Sequence, residues 1–472
     1  MSIVRDNMAP LMFGAMILFM LIGYPAAFSL AATGLFFAFI GIEMGLITPD
    51  FLGNLTYQLF GIISNDLLLA IPFFTFMGAI LERCGLAEDL LDSIGQLFGP
   101  VRGGMSYAVI FVGAILGAIT GTVAASVIAM GVISMTPMLK YGYSTRHTMG
   151  VIAASGTITQ LIPPSLVLVV LADVLGRSVG DMYAGAIGPS LIQVGLFCAW
   201  VAIVSFIWPE SVPSLPLEAR TLHGWALFKK CLRGMIPSLG LIFLVLGTIF
   251  MGLATPSEAG AMGVVGAILL AASYGTLTWK LLYQGMATTM RLTAMVVYIL
   301  IGARVFSLVF QGVGGKEWIE HLLTGLPGGQ VGFLIFVNIF IFVVAFFLDF
   351  FEIAFIIIPL LAPVAQALGI DLVWFGVLIC ANIQTSFMHP PFGFALFYLR
   401  GIAPRSIKTS DIYWGAIPWV FLQLILVVIL IFWPGSVTYW LDKGTGVDPS
   451  KVQIEIPMPE LPPPIDFPGP KN

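Results

Sequence analysis

Two stretches of this chain set hydroxyl and amide side chains beside a Pro-Pro pair inside otherwise apolar sequence: residues 155–165, SGTITQLIPPS, and residues 382–393, NIQTSFMHPPFG. Proline donates no backbone hydrogen bond, its ring clashes with the carbonyl one turn back, and it pushes the preceding residue out of the helix. Pro163, Pro164, Pro390 and Pro391 are therefore helix breakers. The pattern predicts a helix that arrives from Thr145, unwinds over 157–162 and restarts at Pro163. Unwound carbonyls, joined by hydroxyls, are the oxygen ligands that a hard cation such as sodium takes. A structural kink accounts for one such stretch; two copies in matching places favour a site.

The first half offers Thr120, Gly121, Thr122, Ser126, Ser155, Gly156, Thr157 and Thr159 for this chemistry, and the second offers Asp349, Asn382, Gln384, Thr385 and Ser386. Two ion sites related by pseudo-symmetry are expected. The plain alternative for each Ser or Thr is a hydrogen bond to its own helix carbonyl. Asp349 and Glu352 are ionisable groups in an apolar run, which are costly at membrane depth and usually mark a pathway. Three apart, they share a face if the helix continues there. They could hold a cation, carry a proton or line the route; at the surface they would only be solvated. Arg304 is either a carboxylate partner or a snorkelling side chain. His389 is either a titrating group or a structural hydrogen-bonding one. With Ser126, Thr157 and Glu352, these two complete the expected substrate pathway.

The elements that must hold these residues are membrane helices. The chain has 472 residues, 59% hydrophobic and 9% charged, with repeated apolar runs near the ~20 residues that cross a bilayer. Spans are predicted at 3–22, 26–41, 66–82 and 186–207, then at 234–252, 257–275, 291–310 and 411–433. With the two broken helices this gives five per half. Amphipathic surface segments are expected at 52–64 and 86–98, and another leads into the span at 291. Residues 105–140 and 330–366 read as re-entrant hairpins, with tips at Thr120–Thr122 and at Asp349 and Glu352, each arm about 15 residues and so short for a full crossing. The alternative for the first is one long helix with a glycine packing stripe. Proline landmarks repeat at near-constant offsets: 256 − 25 = 231, 363 − 137 = 226 and 390 − 163 = 227. An odd number of spans inverts the second copy. The basic centre, 208–233, is cytoplasmic by the positive-inside rule, which puts both termini outside. The fold class expected is thus an all-α polytopic membrane protein, an inverted repeat of five spans plus one hairpin each. The first helix reads as retained and not as a signal peptide. The proline-rich tail, 434–472, reads as extended.

Other chemistries find no residues. The chain has no ATP-binding loop, so the energy must come from an ion gradient or a partner. The four cysteines are scattered without metal spacing. No His-Glu zinc helix, Ser-His-Asp arrangement or pair of facing aspartates speaks for an intramembrane enzyme, and there is no basic patch for nucleic acid.

LLAIPFFTFMGAILERCG (68–85), GAITGTVAAS (117–126), IPPS (162–165), ATPSEAG (254–260) and LDFFEIAF…PLLAP (348–363) occur in order. Together they resemble the large membrane subunit of tripartite ATP-independent periplasmic (TRAP) transporters, from about residue 8 to residue 433. LDFFEIAF and MHPPFG resemble the branch associated with 2-oxo acids, lactate, mannitol and chloroaromatic acids. The resemblance implies a sodium-driven elevator carrier for small organic acids in the bacterial inner membrane. It implies two partners, a small four-span membrane subunit and a periplasmic substrate-binding protein. Residues 1–102 and 234–328 would be scaffold, and 103–183 and 329–410 the transport domain. Residues 184–233 would supply a span and the central loop, 411–433 the last span, and 434–472 a periplasmic tail. The family's Ser-Gly-Ser-Ser tip falls on Thr120, Gly121, Thr122 and Val123, so the last hydroxyl is missing. Its usual glycine after the first break falls on Thr159-Gln160, and its Ser or Thr before the second Pro-Pro is here His389. The second sodium site would then rely on Thr385, Ser386 and the Met388 carbonyl. The alternative is a self-sufficient sodium/carboxylate symporter of similar architecture.

Overall fold

The computed structural model describes residue 5 and residues 7–391 and 393–441. Among these the regular elements are all helical, and eight helices are long and apolar enough to cross a membrane. Phe36, Phe39 and Val132 are 61%, 67% and 60% exposed. A surface this apolar suits lipid and not water.

The first half runs α1 (Met8–Leu21), α2 (Ala26–Glu43), α3 (Asn54–Ile63), α4 (Ala70–Glu82), α5 (Leu86–Phe98), α6 (Gly104–Thr120), α7 (Val123–Lys140), α8 (Thr145–Thr157), α9 (Leu166–Leu175) and α10 (Val179–Ile207). The second runs α11 (Gly224–Phe250), α12 (Pro256–Ser273), α13 (Trp279–Gly312), α14 (Gly315–Thr324), α15 (Gly329–Val344), α16 (Phe350–Ala367), α17 (Leu372–Ile383), α18 (Phe394–Ile402) and α19 (Thr409–Phe432). The order matches element for element, except that α13 answers to α3 and α4 together. Turn positions repeat as well. Ser144 and Asp371 cap α8 and α17 with their side chains, and 371 − 144 = 227. Both Pro-Pro bonds are cis.

Residues 105–140 are not one rod. α6 ends at Gly121, whose φ of +64° an L side chain rarely adopts, and Thr122 is extended before α7 begins. The two feet of this pair lie together. Gly103 N–H donates to the Val212 carbonyl and Ser144 N–H to the Ser211 carbonyl, both at 2.9 Å in the same central loop. In the second half the side chain of Gln330, at the start of α15, donates to the Leu368 carbonyl just past α16 at 2.7 Å. Each pair is therefore a hairpin, with arms of 17 and 18 residues in the first, longer than the sequence suggests.

Close helix crossings occur within two groups of elements and also between them, since a Cβ on Gly78 of α4 would meet the Thr120 carbonyl oxygen of α6 at 2.1 Å. A Cβ on Gly302 of α13 would meet the Ala27 carbonyl oxygen of α2 at 2.3 Å, and one on Gly263 of α12 would meet Met77 Sδ of α4 at 2.5 Å. In the other group, a Cβ on Gly113 of α6 would meet Ser155 of α8 at 2.6 Å, and one on Gly150 of α8 would meet the Gly415 carbonyl of α19 at 2.1 Å.

The structure corrects the sequence reading at five places. After the breaks the chain resumes helix at Leu166 and Phe394, not at the prolines; Ser165, extended, caps α9 by accepting from Val167 N–H at 3.2 Å. The central loop is shorter, because α11 starts at Gly224 and carries Lys229, Lys230 and Arg233 on helix. α13 is one 34-residue helix, whereas its counterpart bends by 47° between α3 and the turn before α4. Asn65 causes that bend: its side chain accepts from Leu67 N–H at 3.0 Å and starts a new turn. The sequence reading passed over α14 at 315–324, where Trp318, Ile319, Leu322 and Leu323 alternate with Lys316, Glu317, Glu320 and His321 at helical spacing. The tail does not begin extended: residues 435–438 form a helical turn against α10, with Val437 fully buried. Residues 442–472 lie outside the described residues.

Candidate functional site

The breaks and the tips converge. A cavity of about 260 Å³ is lined by Gly121, Thr122 and Val123 at the first tip and by Asp349, Phe350 and Phe351 at the second. Gln160 from the first break, Phe387 from the second, Leu166 from α9 and Phe394 and Tyr398 from α18 close it, and Leu292 and Met295 of α13 form the remaining wall. Its lining is mainly aromatic and aliphatic, with Thr122, Gln160 and Asp349 as polar groups and no Lys or Arg. A larger groove of about 550 Å³ between α4 and α13 contains none of the candidate residues.

At the first tip the predicted hydroxyls do meet. Thr159 Oγ1 donates to Ser126 Oγ at 3.0 Å and lies 2.7 Å from the Gly156 carbonyl oxygen. Ser126 Oγ in turn is 2.7 Å from Thr120 Oγ1. All three side chains are buried. Two close approaches permit this: a Cβ on Gly117 would meet Thr159 at 2.9 Å, and one on Gly156 would meet Val127 at 2.3 Å. Ser155 stands apart from the cluster, with its hydroxyl on the Ile152 carbonyl of its own helix.

The second set is less gathered. Asp349 is the N-cap of α16. Glu352 N–H donates to Asp349 Oδ1, and Asp349 N–H donates to Glu352 Oε2, each at 2.9 Å. The pair is a reciprocal capping box that satisfies two orphan donors at a helix start, and it does not share the face of a continuing helix. Both carboxylates are partly buried; Asp349 still lines the cavity while Glu352 does not. Thr385 donates to the Asn382 carbonyl of its own helix at 2.7 Å. Ser386 is buried in the same turn. His389 is buried between Phe342 and Phe346, with ring centroids 4.2 Å from each, and neither ring nitrogen finds a partner. Arg304 is exposed on α13 and is not among the cavity's lining residues.

The two breaks touch. Thr157 Oγ1 lies 3.0 Å from the Ala154 carbonyl and 3.4 Å from Met388 Sδ. Gln423 of α19, fully buried, donates to both Thr157 Oγ1 at 3.1 Å and Met388 Sδ at 3.5 Å. Cys380 Sγ donates to the Gln160 carbonyl at 3.3 Å. The sequence reading missed Gln423, Asn338 and the aromatic lining. The amides left a signal, since each is a lone carboxamide in an apolar run, WVFLQLILVV and FLIFVNIFIF, where a polar group is costly unless paired. The described residues contain no group of three or more His, Cys, Asp or Glu that could hold a metal; the oxygen donors at the breaks are hydroxyls, amides and carbonyls, which suit a hard monovalent ion.

Residues 13–436 match the family model described as the tripartite ATP-independent periplasmic transporter, DctM component. The C4-dicarboxylate TRAP transporter large permease protein DctM of Rhodobacter capsulatus is 30% identical over 444 residues, covering 90% of this chain and 97% of that one. The ectoine/5-hydroxyectoine TRAP transporter large permease protein UehC of Ruegeria pomeroyi is 28% identical, covering 92% and 99%. Among solved structures, the Alcanivorax borkumensis YdaH transporter, described as having an unusual topology, superposes with a TM-score of 0.56 at 18% identity over 81% of this chain and 87% of that one, a likeness of fold alone. Matched by this family model over residues 13–436 and by a relative 30% identical over 90% of its length, the chain belongs to the DctM family of TRAP transporter large permeases.

Proposed function

We propose that the chain is the translocating subunit of a sodium-coupled TRAP transporter that imports small organic acids. A periplasmic binding protein delivers the substrate, and a small four-span subunit completes the membrane complex. The observation that carries this reading is the convergence of both tips and both breaks on one cavity whose last wall is α13. The site thus lies at the seam between the hairpin group and the α2–α4–α12–α13 group. Sliding the first past the second would carry the cavity across the membrane, as an elevator does.

Thr120, Ser126 and Thr159, with the carbonyls around Gly121 and Gly156, would hold sodium on the first side; Thr385, Ser386 and the Met388 carbonyl would do so on the second. Ser155, Thr122 and Asp349 stand behind these or face the cavity. Sodium bound at the tips would neutralise part of the charge of an anionic substrate, which the lining itself does not do. The feet of the α6–α7 hairpin, flanked in sequence by Arg102, Lys140 and Arg146, meet the central loop, which supports a cytoplasmic entry for that hairpin and periplasmic termini. Relatives are named for C4-dicarboxylates, ectoine and 2,3-diketo-L-gulonate.

Uptake of radiolabelled hydroxy and 2-oxo acids into proteoliposomes is the test, with the chain reconstituted alone, with its small subunit, and with a binding protein added. Uptake that needs all three components and an inward sodium gradient is expected. Full uptake by the chain alone would replace this reading with that of a self-sufficient symporter.

A further inference from the structure

We propose that the Asn338 and Asn382 carboxamides bind a monovalent cation in the seam between α15 and α17, away from the hairpin tips. It rests on the sodium-coupled reading only for the choice of ion. Asn338 lies in the middle of α15 and Asn382 in the last turn of α17; they are 5% and 1% exposed. Asn338 Nδ2 donates to the Leu334 carbonyl at 2.8 Å, and Asn382 Nδ2 donates to the Asn338 carbonyl at 2.8 Å. These bonds fix which way each amide faces, because turning either over would set oxygen against oxygen. Both Oδ1 atoms are then left buried with no donor. Two acceptors without a hydrogen to accept, on adjacent residues in an apolar seam, call for a positive charge or a donor from outside the chain.

The pseudo-symmetric place in the first half shows that the fold does not require this polarity. There 338 − 225 and 382 − 227 give Gly113 and Ser155. The two helices close up so tightly that a Cβ on Gly113 would meet Ser155 Cβ at 2.6 Å, and the Ser155 hydroxyl is satisfied by its own helix. The asparagines set two unpartnered amide oxygens where the other repeat has a packed glycine and a satisfied hydroxyl. Neutral amide oxygens suit sodium; a divalent ion keeps its waters or takes carboxylates. An ion here would tie the outer arm of the second hairpin to the broken helix and hold the two as one body.

Full-length protein in lipid nanodiscs gives the test. Thermal unfolding is followed during titration with NaCl against choline chloride at constant ionic strength, for wild type, Asn338→Leu, Asn382→Ala and Thr159→Val. The sodium concentration for half-maximal protection is expected to rise tenfold or more in both asparagine variants, beyond any change in Thr159→Val. Hydrogen exchange on the wild type serves if a variant fails to fold: peptides covering 334–342 should be protected by sodium and not by choline. Sodium protection lost in Thr159→Val but unchanged in both asparagine variants would overturn this site and leave the transport reading standing. Absence of sodium-dependent protection at 334–342 would also overturn it, with water as the filler of the seam.

Discussion

At the scale of single residues, Thr159 and Gln423 carry the most checkable weight. Thr159 bridges the first tip and the first break through Ser126 and the Gly156 carbonyl. Thr159→Val keeps the shape and removes the hydroxyl. Losing one buried hydrogen bond costs about 1 kcal/mol of stability, so the folded protein should persist while sodium-driven uptake falls tenfold or more. Gln423 holds Thr157 and Met388 together. Gln423→Leu is expected to lower uptake with a loss of stability of about 1–2 kcal/mol, measured by thermal unfolding in nanodiscs. The hydroxyls of the first tip were legible because residue type and spacing name them. Asp349 and Glu352 were legible as a pair but not as a capping box, since whether a helix starts or continues at Asp349 depends on the break at 345–348, which apolar residues do not announce. Gln423 was hidden for another reason: its partners lie in two other helices, and no local pattern points to them.

At the scale of elements, the hairpins depend on glycine contacts. Gly113 lets α6 lie against the Ser155 backbone, and any larger side chain would have to push α8 away. Gly113→Leu is expected to cost more than about 2 kcal/mol through overpacking and to reduce folded yield, read by size-exclusion chromatography; the same change at Gly14, where an added Cβ meets nothing within 4 Å, should be tolerated. Proline pairs and their offset made the breaks, the hairpins and the repeat readable, because those features arise from local backbone chemistry. The unity of α13 was not readable. Its first two turns are amphipathic and its remainder apolar, so composition suggests two segments, yet no residue there caps a new helix as Asn65 does in the other repeat. α14 escaped notice because it is ten residues long, although its apolar and charged residues alternate at helical spacing.

At the scale of the whole molecule, ion pairs join distant segments on the surface, Arg146 with Asp411 and Lys230 with Asp92. Lys230 of α11 and Asp92 of α5 are in contact. Partial burial raises the Asp92 pKa, but hydrogen bonds from Lys230 and Gln96 outweigh that and hold it below the usual carboxylate range. A depressed folded-state pKa gives stability that is present above the unfolded value of about 4 and lost as pH falls through the folded value. With both side chains substantially exposed the pair contributes under about 1 kcal/mol. Asp92→Asn is therefore expected to lower the unfolding temperature by a few degrees at most at pH 7, a difference that shrinks as pH falls below about 4, measured by a pH series of thermal scans.

The central loop also fastens the first hairpin to the helix beside it. Residues 211–215 are bonded to the feet of the first hairpin at Gly103 and Ser144 and to Gly99, while Gln96 of α5 holds the backbone of Leu222 just before α11 starts. The leash between these anchorages is a handful of residues, and an extended chain spans at most about 3.5 Å per residue. At full stretch that run reaches roughly two dozen ångströms, and because Gly99 and Gln96 stand three residues apart at the end of α5, it doubles back there and pins the feet of the first hairpin to α5.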